Sequence, residues 1–184
     1  MRTLEVRRHS LRKTGASGSQ LSQAGVDLAR AIGAEIGPFA WVAASTYPRA
    51  RETAIAMGFA IDQDLVPLLS DEAAVAEYEA SRWWEDPQPL AAMGRLVRTE
   101  GAAYRYGSGV VGLWRDMLMP LPEGGAALVV THSGDIELAL VSCFPDADHA
   151  AWGGVFAPCE GARITFGGDP PRFLDLTPIR LPAS

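Results

Sequence analysis

The sequence predicts an α/β fold: a three-layer sandwich with a mostly parallel central sheet and helices on both faces. Short apolar runs alternate with helical stretches, the pattern of strands joined by crossover helices. The run from Ala126 to Thr131 is apolar almost throughout, as is Phe39 to Ala44, which marks strands buried on both faces. At 184 residues the chain suits one domain, 1–184, with one sizeable core.

Thr3 to Arg7 alternates in polarity and reads as a first strand ending near Arg8. Lys13 to Gln20 is rich in Gly and Ser and reads as a loop. A helix then opens at Leu21-Ser22-Gln23-Ala24-Gly25, with Ser22 as N-cap, and Gly33 or Gly37 ends it. Phe39–Ala44 is the second strand. A helix over Arg49–Phe59 begins after Pro48. Leu65–Leu69 is expected to be a short edge strand, because Pro67 lacks the N–H a central strand must donate. Asp71–Trp84 reads as an acidic helix, broken by Pro87 and Pro89. Leu90–Met119 is helical but is expected to be interrupted at Gly107-Ser108-Gly109. After a turn at 120–125 come the strand Ala126–Thr131 and a helix over Ile136–Phe144. Ala162–Phe166 and Arg172–Leu176 form a terminal hairpin.

Hydrophobic residues make up 48% and charged residues 21%, the balance of an ordinary globular domain. A net charge of −6 argues against nucleic acid as a partner. Yet Arg2, Arg7, Arg8, Arg12 and Lys13 crowd the first strand and the loop after it, a cluster suited to a small anion. For Arg2, Arg12 and Lys13 a solvated charged end is the competing reading. Cys143 and Cys159 lack metal-type spacing and are expected to be free thiols. No apolar run reaches the roughly 18 residues of a membrane span, and the N-terminus lacks a leader-like apolar stretch. No membrane partner and a cytoplasmic location are therefore expected. Oligomeric state is left open.

Only three histidines occur, and two stand at predicted strand ends, where open α/β sheets place ligands. His9 follows the first strand beside Arg8. A neutral imidazole can attack phosphorus, and neighbouring cations favour the neutral form. Arg49 opens a helix, an unfavourable place for a cation unless an anion binds beside it. Arg51, two residues on, points elsewhere. His132 ends the strand before Ser133-Gly134-Asp135, where it can donate to phosphoryl oxygens. His149 sits in Pro145-Asp146-Ala147-Asp148-His149 and reads as surface. Trp83, Trp84, Tyr104, Tyr106 and Trp114 are core or pocket-mouth aromatics, with core the commoner fate.

Four segments in order resemble the histidine phosphatase superfamily, which includes cofactor-dependent phosphoglycerate mutases and small bacterial phosphohistidine phosphatases. They are Arg8-His9-Ser10, Leu21-Ser22-Gln23-Ala24-Gly25, Ser45 through Arg49-Ala50 to Thr53-Ala54, and Val130-Thr131-His132-Ser133-Gly134. The resemblance covers most of the chain. It implies that His9 is phosphorylated, that Arg8, Arg49 and His132 hold the phosphoryl oxygens, and that no metal or cofactor is needed. Ser10 replaces the family glycine; its hydroxyl would bind phosphate, with Ser133 also placed there, or its bulk would narrow the pocket. The family's proton donor follows the second motif, where Asp71 fits the spacing best and Glu72, Glu77 and Glu79 are alternatives.

The expected activity is hydrolysis of a phosphomonoester or phosphohistidine, so the partner is a small phosphorylated substrate or a phosphohistidine protein. Mutase-type phosphoryl transfer is the nearest rival, and a non-catalytic phosphate-binding module the next. A metallohydrolase using His9, His132 and Asp135 is disfavoured, because flanking arginines repel a dication.

Overall fold

The computed structural model of the chain describes residues 1–15 and 19–182. The predicted loop 13–20 therefore lies partly outside the described residues, at 16–18. The strands are β1 (Arg2–Arg8), β2 (Trp41–Ser45), β3 (Gln63–Leu65), β4 (Ala126–Thr131), β5 (Gly161–Gly167) and β6 (Arg172–Ile179). The helices are α1 (Gln23–Gly33), α2 (Pro48–Ala56), α3 (Glu72–Ser81), α4 (Pro89–Val97), α5 (Ala102–Leu118) and α6 (Asp135–Cys143). They divide into two compact units: residues 1–66, 117–132 and 156–184 form one, and 67–116 with 133–155 form the other.

The first unit holds the whole sheet, in the order β3-β2-β4-β1-β5-β6. β3, β2, β4 and β1 run parallel, while β5 and β6 are antiparallel additions that form the predicted hairpin. β1 and β4 are flanked on both sides; β4 is accordingly apolar almost throughout, whereas β1 buries Leu4 and Val6 and pairs its buried Glu5 with Arg7 and Arg163. Ala29 of α1 and Ala50, Ala54 and Met57 of the α2 segment pack against Val42, Ala44, Leu128 and Val130 of the sheet. Small side chains on α1 and α2 let them lie close to the strands. Ser22 caps α1 as predicted, its hydroxyl accepting the Gly25 N–H. Gly25 is required there, since a Cβ would overlap the Leu11 carbonyl oxygen.

The second unit is helical, built around Leu68, Trp83, Leu90, Met93, Val97, Leu138 and Val141. Here the structure corrects several boundaries. β3 is an edge strand but ends at Leu65; Pro67 stops it, and Leu68–Ser70 forms a 3₁₀ turn instead. α3 ends at Ser81 because Arg82 adopts a left-handed conformation (φ 46°), and Trp83–Glu85 makes a separate 3₁₀ turn. The break between α4 and α5 falls at residues 98–101, not at Gly107-Ser108-Gly109, which lie inside α5. Gly107 serves packing there: a Cβ would collide with the Ser142 hydroxyl on α6 and lie 2.9 Å from the Leu138 carbonyl oxygen. Trp83 and Trp114 are core, Tyr106 is partly buried, and Trp84 and Tyr104 are exposed. No helix among the described residues is long and apolar enough to cross a membrane.

Candidate functional site

Parallel pairing creates the site. β1 and β4 pair in register from Thr3 with Ala126 to Arg8 with Thr131, so His9 and His132 emerge side by side past the strand ends. β2 pairs with β4 up to Ala44 with Val130, which brings Ser45 to the same edge. The His9 N–H donates to the Thr131 carbonyl at 2.8 Å and fixes the first residue beyond the strand. The ring centroids of His9 and His132 are 5.2 Å apart.

The hydrogen bonds assign both tautomers. Nδ1 of His9 lies 2.7 Å from the Ser10 carbonyl oxygen, which can only accept, so Nδ1 carries the proton and Nε2 the lone pair. Arg49 Nε donates to that Nε2 at 3.1 Å and to Nδ1 of His132 at 3.2 Å. One N–H is thus shared between two unprotonated imidazole nitrogens. Nε2 of His132 then bears its proton and donates to the Ser45 hydroxyl at 2.8 Å. The Arg49 guanidinium also lies over the Tyr47 ring, 4.8 Å from its centroid, and that ring meets His132 edge-on at 5.4 Å.

Burial above all pushes His9 down to about 4; the bond to the Ser10 carbonyl opposes this, and the charges of Arg49, Arg8 and Arg12 add to the lowering. Burial likewise pushes His132 down to about 3, helped by Arg49, His9 and Arg8. Both rings are neutral at pH 7.

Arg8 is held from behind. Its Nη1 donates to the Phe156 carbonyl at 2.6 Å, while its Nε is buried with no hydrogen-bond partner among the described residues. A buried N–H donor without a partner is costly, and an oxyanion would satisfy it. The turn carrying Phe156 is tied down in turn by Glu160, whose carboxylate accepts from Ala157 N–H (2.9 Å), Arg180 (2.8 Å) and Leu181 N–H (3.0 Å). Burial pushes the Glu160 carboxyl up, but these three donors and the Arg180 charge outweigh it and hold it below its ordinary value. Arg180 stacks on the Phe156 ring, 4.2 Å from its centroid.

Arg8, His9, Arg49 and His132 are therefore brought together. Arg51 is not; it pairs with Asp64 at the surface, as expected. Ser10 corrects its expected role. Its hydroxyl is fully buried and donates to the Gly25 carbonyl at 2.7 Å, which engages its only proton away from any anion. Ser10 N–H donates to Thr53 Oγ1 at 2.9 Å, and Thr53 donates to the Arg49 carbonyl at 2.7 Å. Thr53 thereby couples the loop after His9 to the helix that presents Arg49. Ser45 and Thr53 belong to the second motif, where sequence alone assigns neither a task; only the strand register and the α2 packing reveal one.

In the second unit, Asp71 caps α3, Oδ1 accepting the Ala74 N–H at 3.0 Å. Glu77 accepts the Ala103 N–H at 2.7 Å, and Glu72 and Glu79 are exposed. Ser133 donates to Glu137 at 3.3 Å. Gly134, at φ 94°, turns the chain into α6, and its N–H donates to Glu137 at 2.6 Å. Asp135 is buried and accepts from Leu68 N–H (2.8 Å) and the Tyr106 hydroxyl (3.0 Å). His149 is not a surface residue: it is buried, its Nε2 donates to the Phe144 carbonyl at 2.8 Å, and its ring meets Trp152. Cys143 and Cys159 are free thiols, raised by burial. No group of three His, Cys, Asp or Glu among the described residues is arranged to hold a metal ion.

No family model and no curated protein matches the sequence. Solved structures do match. A phosphoserine phosphatase from Entamoeba histolytica, in complex with 3-phosphoglyceric acid, superposes with a TM-score of 0.65 at 14% identity, covering 99% of this chain and 98% of that one. The fold is that of the histidine phosphatases. A mycobacterial glucosyl-3-phosphoglycerate phosphatase with vanadate gives 0.64 at 19% identity, covering 97% and 98%. The protein histidine phosphatase SixA with tungstate gives 0.56 at 13% identity, covering 96% of each chain. At such identities the likeness is one of fold.

Proposed function

We propose that the chain is a phosphatase that hydrolyses a phosphomonoester or a phosphohistidine through a covalent phosphoryl group on His9 Nε2, in one histidine-phosphatase-like domain of residues 1–184. The observation that carries this reading is the unprotonated Nε2 of His9, aimed with Nδ1 of His132 at a single Arg49 N–H. A phosphoryl group entering there meets a nucleophile and a guanidinium together. The orphaned, buried Nε–H of half-buried Arg8 supports the same reading. So do the solved relatives of this fold that hold vanadate and tungstate, both phosphoryl-like oxyanions.

The His9 Nε2 lone pair attacks phosphorus, and the bond from phosphorus to the leaving oxygen or nitrogen breaks. Nδ1–H stays on the Ser10 carbonyl, which favours the positive charge the ring acquires. Arg8 and Arg49 meet the charge on the phosphoryl oxygens. The anion also reverses the balance at His132, favouring its protonated form, which then donates. Water next attacks phosphorus, the P–N bond breaks with its electrons returning to Nε2, and phosphate leaves. Asp71 is the proposed proton donor to an alkoxide leaving group and acceptor from the water. Ser133 remains a proposed phosphate ligand, its hydroxyl turning from Glu137 to the anion when substrate binds.

The test is rapid acid-free quenching with a ³²P-labelled phosphomonoester. Label should appear on His9 as an acid-labile phosphoramidate and be absent from His9→Ala. Full turnover by His9→Ala would refute the proposal.

A further inference from the structure

We propose that the loop after His9 carries a second anion subsite, built on Arg12 with Lys13, and that the substrate bears an anionic group in addition to the phosphoryl group it loses. The proposal rests on the phosphatase reading above and names its substrate class.

Most cations near the sheet are engaged. Arg7 and Arg163 both pair with buried Glu5, Arg180 pairs with Glu160, and Arg51 pairs with Asp64. Arg12 differs. It is exposed and has neither an ion pair nor a side-chain hydrogen bond among the described residues. In a chain with 22 acidic and 16 basic residues, such a cation three positions past the nucleophile calls for a reason.

Its backbone is pinned, so the charge is presented rather than left on a loose ribbon. The Leu11 carbonyl accepts from the Ser22 N–H at 3.0 Å, Arg12 forms a β-bridge with Leu21, and Lys13 N–H donates to the Gln20 carbonyl at 2.9 Å. Leu21 N–H is held by the Glu52 carboxylate at 2.7 Å, which anchors the ribbon to α2, the helix of Arg49. Arg12 and Lys13 line a solvent-facing cleft of about 530 Å³ with Leu11, Thr14 and Ser22. Arg12 is close enough for its charge to act on His9. Arg8 and Arg49 already serve the proposed phosphoryl group, so a third guanidinium three residues past His9 is suited to a different part of the same substrate. Its planar fork fits a carboxylate or a second phosphate.

Binding separates this proposal from turnover. The probes are phenylphosphonate and its 2-, 3- and 4-carboxy derivatives, measured by calorimetry on the full chain. The wild type should bind the best carboxylated isomer about fivefold more tightly than phenylphosphonate, the scale of a favourable exposed ion pair. The preference should shrink as salt is raised. Arg12→Ala should weaken the carboxylated probe about fivefold more than phenylphosphonate, and Arg12→Lys should restore part of the preference. No preference in the wild type, or one that survives in the Arg12→Ala/Lys13→Ala double variant, would overturn the subsite. A retained carboxylate preference with no ³²P on His9 would support the subsite while removing the phosphatase reading.

Discussion

At the scale of single residues, the site depends on which nitrogen carries which proton. Because burial and the arginines keep His9 near 4 and His132 near 3, neither ring should titrate in the usual histidine range. NMR of the imidazole resonances in the substrate-free protein should show both neutral from pH 8 to about pH 5; a midpoint near 6.5 for His9 would contradict the geometry. Arg49 is the shared donor, so Arg49→Ala should lower kcat/KM by about 10²-fold or more, and Arg49→Lys should recover little. Asp71 allows a clean separation of two tasks. Asparagine is as good an N-cap as aspartate, so Asp71→Asn should keep α3 intact while removing the acid. Hydrolysis of an alkyl phosphate should then fall far more than that of p-nitrophenyl phosphate, whose leaving group needs little protonation. An unchanged ratio would remove Asp71 from the mechanism.

At the scale of elements, the phosphoryl-facing groups depend on neighbours that never touch substrate. Ser10 bonds the loop after β1 to the start of α1 through the Gly25 carbonyl. Ser10→Ala should therefore cost about 1 kcal/mol and lower the melting temperature by about 2–4 °C, read by calorimetry. Gly25→Ala should cost about 1–3 kcal/mol or more, because its Cβ and the Leu11 carbonyl cannot share the same space. Both variants should affect stability before chemistry. Glu160 is different: it fastens the turn whose Phe156 carbonyl holds Arg8. Glu160→Gln keeps the shape and loses the charge, so the deficit should fall on the rate of phosphoryl transfer through Arg8.

At the scale of the whole molecule, the buried neutral histidines couple folding to pH. His9 and His132 have folded pKa values well below the 6.5 of an unfolded chain. Between those values the unfolded state binds more protons than the folded one. The stability they contribute is thus fully present above about pH 6.5 and is lost as pH falls toward 4. Denaturant unfolding across pH 7 to 4 should show this decline, and it should be shallower in His132→Gln, where one titrating group is gone. The overall charge of −6 does not alter the sign, since the effect comes from two specific buried rings.

Much of this protein is written locally. The alternation of strands and helices, the Ser22 cap, the terminal hairpin, and the positions of His9, Arg49 and His132 at element ends all depend on nearest-neighbour chemistry: apolar periodicity, side-chain caps and chain turns. What local chemistry could not supply was pairing. The α4–α5 break falls at residues 98–101 and not at Gly107, because a glycine that serves close helix packing looks, in sequence, like one that ends a helix. His149 looked exposed among aspartates, yet the Phe144 carbonyl and Trp152 enclose it. Ser10 stands where sequence expects a phosphate ligand, yet the Gly25 carbonyl holds its proton. The parallel register of β1, β4 and β2 decided the rest. It brings His9, Ser45 and His132, far apart in sequence, to one edge, where a single Arg49 N–H can serve two rings. Tautomers and lowered pKa values follow from burial and charge in three dimensions, so they belong to the tertiary structure alone.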